Sequence, residues 1–301
     1  METNSVSVPD SSISTSSPSP SPSSPSGYTH LAISGAGIKG IAILGSLKVL
    51  YDNKLMTTVA NFAGSSSGGL ICFFLSIGYT CDELTDIMMN VDMGNYRDIN
   101  ISSIFDKWGV DSGELIMKLV SSIAKQKNIS NTITFKELHT KMNNTLILTG
   151  SNITTNYVVY YNHIDTPDKK VFDALRITIS YPLLFYPIIE GGEIIIDGAM
   201  FSPYPMDYFS DFGGDNCKKI GILINNPCEK NQTIEDCETY FISIMNCLQE
   251  RYENLCISKH RADTIMIDIN WLHSMKFNIT LDDKTKMFEK GIGETKKFLG
   301  L

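Results

Sequence analysis

Apolar and polar residues alternate in blocks along the chain. Short apolar runs at 29–34 and 58–63 predict two strands. Each run is followed by a turn rich in glycine or serine and then by an apolar helix, the first at 39–51 and the second beginning at Ser67. Strand, turn and helix in this repeated order predict a parallel sheet covered by helices.

The same alternation continues toward the C-terminus. Thr80 and Thr134, each followed three residues later by glutamate, predict capping boxes that begin two helices, and Ser112 predicts the beginning of a third. Further strands are predicted at 145–149, 156–161, 194–196, 220–224 and 264–269. Further helices are predicted at 168–178, 233–257 and 282–299. We therefore expect one α/β domain over 28–301.

Residues 1–27 differ sharply from this body, with 12 serines and 5 prolines. Such a segment buries too little apolar surface to offset its ordering entropy, so we predict a disordered tail. It contains no apolar run of the kind found in a signal peptide. The longest apolar stretch, 70–77, is too short to span a membrane. We expect a cytoplasmic protein.

Charge and cysteine content exclude some classes of function. With 25 basic and 33 acidic residues the net charge is -8, which argues against nucleic-acid binding and against purely electrostatic attraction to anionic membranes. The 7 cysteines form no C-x-x-C pair, which argues against a zinc site and favours free thiols.

A glycine loop follows the first predicted strand and reads Gly35-Ala36-Gly37-Ile38-Lys39-Gly40. Backbone N–H groups beside a helix N-terminus favour an anion. The loop also fits the dinucleotide pattern G-x-G-x-x-G, which requires an acidic residue at the end of the second strand. That strand ends at Gly64 without a carboxylate, so an oxyanion-binding loop is favoured over a nucleotide site or a plain turn.

The second predicted strand leads into Gly64-Ser65-Ser66-Ser67-Gly68. The pattern G-x-S-x-G at a strand-to-helix turn is typical of a nucleophile elbow, in which the central hydroxyl, here that of Ser66, stands above the sheet. The neighbouring helix N-terminus stabilises developing negative charge. Because serine–glycine loops are common, a purely structural turn is an equal alternative on this pattern alone.

A third motif, Asp197-Gly198-Ala199, directly follows the apolar run 194–196. A carboxylate leaving a buried strand is partly desolvated, which raises its pKa and makes it a better base. Alone, an Asp-Gly pair is more often only a turn. All three motifs follow predicted strands, and the carboxyl ends of strands are where open α/β sheets place their sites.

Together the three motifs resemble those of the patatin-like phospholipases, a family of lipid acyl hydrolases. That pattern is a G-G-G-x-K/R-G loop, a G-x-S-x-G elbow and a D-G-G or D-G-A turn. The stretches 133–138, 171–177 and 180–185 are also similar. The resemblance covers about 29–205, whereas 206–301 carry no matching motif.

The resemblance implies a single three-layer domain whose central sheet is mostly parallel. It implies that Ser66 is the nucleophile, that Asp197 is its general base, and that the loop from Gly35 to Gly40 is the oxyanion hole. The implied reaction is phospholipase A-type hydrolysis of glycerolipids through an acyl-enzyme, without a metal or an organic cofactor. Headgroup and positional preference stay open.

Two departures from the family pattern keep alternatives open. Ala36 stands where the family usually has glycine, and the run 200–203 lacks an asparagine that usually follows the D-G-A turn. One alternative is a catalytically inactive lipid-binding module. Another is a Ser–Asp–His triad that uses His260 or His273, both of which follow Asp197 in the chain.

A lipid substrate implies peripheral contact with a membrane, and apolar insertion would suit an acidic protein. The candidates are the stretch 181–187 and the region of Trp108, because exposed aromatic side chains favour interfaces. The resemblance predicts that 181–187 packs instead in the core near the site.

Overall fold

The computed structural model describes residues 27–212, 217–225, 237–272 and 277–301. Apart from Gly27, the predicted N-terminal tail lies outside the described residues. The same holds for His273 and for the beginning of the helix predicted at 233–257.

The strands follow one another along the chain in the order that the sequence predicts. They are β1 (His30–Ile33), β2 (Asn61–Gly64), β3 (Gly109–Asp111), β4 (Thr145–Asn152), β5 (Tyr157–Tyr161), β6 (Leu183–Phe185), β7 (Ile188–Glu190), β8 (Glu193–Asp197), β9 (Lys219–Asn225) and β10 (Thr264–Asp268). One sheet has the order β10-β9-β1-β2-β4-β8-β7, with β5 also paired to β4, and β3 pairs with β6. The first five strands in that order are parallel, which confirms the predicted α/β fold.

Helices connect these strands and cover the sheet. They are α1 (Gly40–Asp52), α2 (Ser67–Ser76), α3 (Cys81–Asn90), α4 (Ile104–Lys107), α5 (Glu114–Gln126), α6 (Phe135–Met142), α7 (Val171–Thr178), α8 (Met206–Phe212), α9 (Cys237–His260) and α10 (Leu281–Leu299). The capping boxes predicted at Thr80 and Thr134 are both present, and Ser112 Oγ accepts from the Glu114 N–H at 3.1 Å. Among the described helices, none combines the length and apolarity that crossing a membrane requires.

Alternate residues of the strands face two separate cores, as the two-residue period of a strand dictates. In β1, Leu31 and Ile33 belong to the larger core, which includes side chains of α1, α2, α3, α5, α7 and α10. Ala32 faces the smaller core, which lies under α8 and α9. Two helical layers therefore enclose the sheet.

The C-terminal part of the chain completes this sheet. Strand β9 pairs with β1, and β10 pairs with β9. Helix α10 crosses α1 in backbone contact: a Cβ atom at Gly45 would lie 2.0 Å from Phe288 O, and one at Gly291 would lie 1.9 Å from Ala42 O. Only glycine permits so close an approach at both positions.

Strand β4 is longer than its neighbour β2, and the difference determines where Asp197 lies. Gly64, the last residue of β2, pairs with Leu148, whereas β4 continues to Asn152. Strand β8 pairs antiparallel with this extension, so that Asp197 faces Gly150. Asp197 is the last residue of its strand, as predicted, but β8 runs antiparallel to β4, and Asp197 reaches the carboxyl edge of the parallel strands because β4 projects beyond β2.

Candidate active site

Ser66 lies on the sharp turn between β2 and α2 that the G-x-S-x-G pattern predicts. Its backbone has φ 53° and ψ -130°, a strained conformation that costs about 1–3 kcal/mol in a non-glycine residue. A Cβ atom at Gly64 would lie 2.5 Å from Gly68 O, and one at Gly68 would lie 2.3 Å from Ser34 O. The turn therefore closes only with glycine at both flanking positions.

Two buried threonines hold this turn from neighbouring elements. The Ser66 N–H donates to Thr178 Oγ1 at 3.0 Å, and Thr149 Oγ1 donates to Ser65 Oγ at 2.9 Å. Sequence reasoning missed both threonines. They lie in otherwise apolar segments, 112 and 84 residues from their partners, and no local pattern marks such a contact.

Ser66 and Asp197 are in direct contact. Ser66 Oγ donates to Asp197 Oδ2 at 2.7 Å, and the other carboxyl oxygen, Oδ1, accepts from the Ala199 N–H at 2.8 Å. Asp197 is completely buried, and Ser66 is only 9% exposed. The structure thus places together the two residues that the family pattern pairs, although 131 positions separate them.

Burial raises the pKa of Asp197 to about 7, and the hydrogen bonds from Ala199 and Ser66 partly oppose that rise. Desolvation disfavours the ionised carboxylate, whereas both donors stabilise it. A carboxyl group with a pKa near neutrality can take a proton at pH 7 and return it, as a general base and acid must do.

Four of the six N–H groups in the loop predicted to hold an oxyanion are engaged within the protein. They donate as Gly35 to Pro203 O at 2.9 Å, Ala36 to Ser67 Oγ at 3.1 Å, Lys39 to Ala36 O at 3.0 Å, and Gly40 to Gly37 O. These bonds fix the loop between the elbow and the segment after β8. They also leave these four groups unavailable to a ligand.

Gly37 and Ile38 are the remaining members of the loop. Across the described ranges, the N–H groups of these two residues have no hydrogen-bond acceptor. Both residues line the same cavity as Ser66. Gly37 has φ +52°, in the left-handed region that favours glycine. Two adjacent N–H groups of the loop therefore keep their donor capacity, on residues that line the same cavity as Ser66.

The other loop residues have structural contacts. Ala36 has φ -145°, a negative value that does not require glycine, and its methyl group is buried at a position where the family pattern has glycine. Lys39 is buried, and its ammonium group donates to Ile269 O at 2.8 Å. Its side chain therefore links the loop to the residue that follows β10.

The turn after Asp197 is packed against the loop and β4. A Cβ atom at Gly35 would lie 3.0 Å from the Ala199 methyl group, and one at Gly198 would lie 1.9 Å from Thr149 Oγ1. Ser151 Oγ donates to Gly198 O at 3.3 Å and accepts from the Phe201 N–H at 3.0 Å. Ser151 thus anchors a turn that lacks the asparagine usual in the family.

Ser66 and Asp197 line a cavity of about 130 Å³. Apart from the loop, the elbow and Asp197, its wall consists of apolar and aromatic side chains, mainly from α1, α2, α3 and α5. Tyr181 and Phe185 are buried and contribute to this wall, as predicted for 181–187, whereas Pro182, Leu183 and Pro187 are only partly buried and do not line the cavity.

His260 does not join this site. Its Nε2 lies 2.8 Å from Asp207 Oδ1 in α8, while both oxygens of Asp197 accept from Ser66 and Ala199. The triad alternative therefore fails for His260, and His273 lies outside the described residues. In the described part of the chain, no three His, Cys, Asp or Glu side chains are grouped to hold a metal ion.

Two solved structures share this fold. VipD from Legionella pneumophila superposes with a TM-score of 0.62 at 15% identity, covering 91% of this chain and 67% of that one. The type III effector protein ExoU superposes with a TM-score of 0.55 at 14% identity, covering 92% of this chain and 53% of that one.

Sequence comparisons show which family the chain belongs to. An uncharacterised protein of Acanthamoeba polyphaga mimivirus is 29% identical over 91% of this chain and 94% of its own length. A probable lipid hydrolase of Invertebrate iridescent virus 6 is 32% identical over 65% of this chain and 68% of its own length. The family profile of the patatin-like phospholipases matches residues 31–210, more than half of the chain. The chain therefore belongs to the patatin-like phospholipase family.

Proposed function

We propose that the protein is a lipid acyl hydrolase that uses Ser66 and Asp197 as a catalytic dyad. The observation that carries this proposal is the 2.7 Å hydrogen bond between the Ser66 hydroxyl and a buried carboxylate, in a cavity with an otherwise mostly apolar wall. Such a wall suits a fatty acyl chain, because burial of each methylene group contributes about 0.8 kcal/mol. Family membership and the relative described as a probable lipid hydrolase support the same substrate class.

In the first half of the reaction, Asp197 takes the hydroxyl proton as Ser66 Oγ attacks the ester carbonyl carbon. The carbonyl oxygen becomes an oxyanion, which the N–H groups of Gly37 and Ile38 stabilise. When the tetrahedral intermediate collapses, protonated Asp197 gives its proton to the leaving alkoxide oxygen. The alcohol departs, and the acyl group stays on Ser66.

In the second half, water replaces the alcohol. Asp197 takes a proton from the water as its oxygen attacks the acyl carbon, and the same two N–H groups hold the second oxyanion. Collapse releases the fatty acid and returns the proton to Ser66 Oγ. The cycle restores Asp197 to its ionised form and consumes one water molecule per ester.

The test is fatty-acid release from mixed phosphatidylcholine micelles, combined with labelling by a fluorophosphonate. We expect wild-type protein to release fatty acid and to be labelled at Ser66, and Ser66→Ala to do neither. Ser258→Ala, on the exposed side of α9, is the matched control and should behave as wild type. Folded wild-type protein that neither releases fatty acid nor is labelled would contradict the proposal and favour an inactive lipid-binding module.

A further inference from the structure

A second apolar concavity, which we call the apolar groove, lies on the surface and has a volume of about 590 Å³. Its lining includes Trp108, Ile153, Leu183, Ile194, Ile196 and Leu248, with further apolar side chains from 182–201 and from α9. Every described residue that lines it is apolar, and none of these residues is buried. Continuous exposed apolar surface of this kind marks an interaction site.

The apolar groove and the Ser66 cavity share a wall. Tyr181 and Phe185 face the cavity, whereas Pro182, Leu183 and Pro187 line the apolar groove. Strand β8 contributes to both sides, because Ile194 and Ile196 line the apolar groove and the next residue, Asp197, lines the cavity. A surface that docks at the apolar groove would therefore lie beside the proposed catalytic site.

Backbone strain is retained at two positions of the apolar groove. Trp108 has φ +57° and Leu183 has φ +60°, a conformation that costs roughly 1–2 kcal/mol in residues other than glycine. The register of β3 and β6 places Leu183 opposite Gly109, directly after Trp108. Strain that persists at neighbouring positions points to function, and here it accompanies two large, partly exposed apolar side chains.

Charge distinguishes between the possible partners. Among the described residues that line the apolar groove, none has an ionisable side chain, and the whole chain carries a net charge of -8. An anionic membrane would repel such a protein, whereas a zwitterionic lipid surface would attract its apolar side chains without an electrostatic term. Trp108 is about half exposed, and a tryptophan suits the boundary between headgroups and acyl chains.

The geometry points to the apolar groove as the surface on which the protein docks to an electrically neutral lipid layer, with the Ser66 cavity beside that layer. This inference rests on the proposed function, which supplies the reason for a lipid surface to be the partner. Docking is driven by apolar insertion, so it does not weaken as salt rises.

Intrinsic fluorescence tests the insertion directly, because Trp108 and Trp271 are the two tryptophans of the chain. Both are about half exposed, at 48% and 45%. In a Ser66→Ala background, which prevents hydrolysis, Trp271→Phe leaves Trp108 as the reporter and Trp108→Phe leaves Trp271. We expect phosphatidylcholine vesicles to shift the emission of Trp108 to shorter wavelength and to leave that of Trp271 unchanged.

Substitutions then test the surface. Ile153→Asp and Leu248→Asp place a charge in the apolar groove but line no part of the Ser66 cavity. We expect each to lower the vesicle partition coefficient about tenfold, equivalent to about 1.4 kcal/mol. Ile164→Asp is the matched control, because Ile164 is exposed, lies beyond the far end of β5 and is absent from the apolar groove. It should partition as wild type.

Three results would overturn the inference. The two groove variants could partition onto vesicles as wild type does, or binding could require phosphatidylserine and be lost at about 0.5 M salt. The third is that the groove variants convert a dimer to a monomer. Hydrolysis of a water-soluble ester separates this failure from failure of the proposed function. Groove variants should keep that activity and lose hydrolysis of vesicle lipid, whereas a protein without serine chemistry lacks both and can still bind vesicles.

Discussion

Asp197 pairs with Gly150 across an antiparallel ladder, two positions past Leu148, where β2 ends against β4. Ser66 likewise lies two positions past Gly64, the last residue of β2. The projection of β4 beyond β2 therefore places the carboxyl group of Asp197 level with the hydroxyl group of Ser66 along the strand direction. The 2.7 Å hydrogen bond between them depends on the length of a strand that contributes no reacting group.

The first prediction concerns pH and activity. Burial raises the pKa of Asp197 to about 7, and only the ionised carboxylate can accept the proton of Ser66. We therefore expect kcat/KM for a water-soluble ester to rise with pH through about 7 and to level off above it. Rates measured from about pH 5 to 9, with circular dichroism at each pH to show that the protein stays folded, check this. A flat profile would contradict the role of Asp197 as base.

The second prediction concerns stability. The pKa of Asp197 is higher in the folded protein than the unfolded value of about 3.9, so the folded state binds the proton more tightly and the free energy of unfolding falls as pH rises between the two values. The loss is complete above pH 7 and amounts to about 4 kcal/mol. Asp197→Asn lacks this titration, so we expect it to be more stable than wild type at pH 8 and to lose that advantage toward pH 4.

Urea unfolding at several pH values measures this difference, and activity is measured on the same samples. Asp197→Asn should also lose about 10²–10⁴-fold in kcat. Asp106→Asn is the control, because it makes the same chemical change at an exposed acid on α4, away from Ser66. A constant stability difference between Asp197→Asn and wild type across this pH range would show that burial does not raise the pKa of Asp197.

Local signals account for what the sequence could predict. The capping boxes at Thr80 and Thr134 and the close approach of Gly64 to Gly68 are each contained within a few residues, and each is present as expected. Strands β3, β6 and β7 have three residues each, too few to form a pattern. The direction of β8 could not be predicted either, because a run of apolar residues is the same for both orientations.

The contacts that complete the site are long-range, and for that reason they were missed. The selection of Gly37 and Ile38 as the two available donors depends on which other N–H groups find acceptors, and those acceptors include Ser67 and Pro203 in other parts of the chain. A family pattern marks the whole loop, but it cannot distinguish the N–H groups that are bonded within the protein from those that remain available.

The third prediction concerns Thr178, whose hydroxyl oxygen accepts from the Ser66 N–H. Thr178→Val keeps the shape of the side chain but leaves a buried donor unpaired, which costs about 1–3 kcal/mol. We expect lower stability and lower kcat, because the strained turn at Ser66 loses one of its supports. Thr178→Ser keeps the hydroxyl and should restore most of both. Thermal unfolding and ester hydrolysis measure the two effects, and equal behaviour of the valine and serine variants would refute the role.

The fourth prediction concerns the donors of the loop. Gly37→Ala places a side chain at φ +52° and shifts the N–H groups of Gly37 and Ile38. Since loss of one oxyanion donor typically costs about 10²–10³ in kcat, we expect a fall of at least about tenfold with KM little changed. Ala36→Gly, one residue earlier, leaves φ and the bond to Ser67 possible and should retain far more activity. Comparable losses in the two variants would mean that the loop acts through its general shape.

The last prediction concerns the crossing of α1 and α10, which lies behind the glycine loop because α1 begins at Gly40. Gly291→Ala would place a methyl group 1.9 Å from Ala42 O, so the helices must separate, and overpacking of this kind costs about 1–3 kcal/mol. Gly293→Ala, two residues on in the same helix, meets no atom of the described residues within 4 Å and should stabilise the protein by about 0.5–1 kcal/mol through the better helix propensity of alanine. Urea unfolding of both variants measures the free energy of unfolding, which should fall for Gly291→Ala and rise for Gly293→Ala. If both were stabilising, the backbone contact would not constrain α1; if Gly291→Ala also lowers kcat while Gly293→Ala does not, the position of α1 controls the loop that faces Ser66.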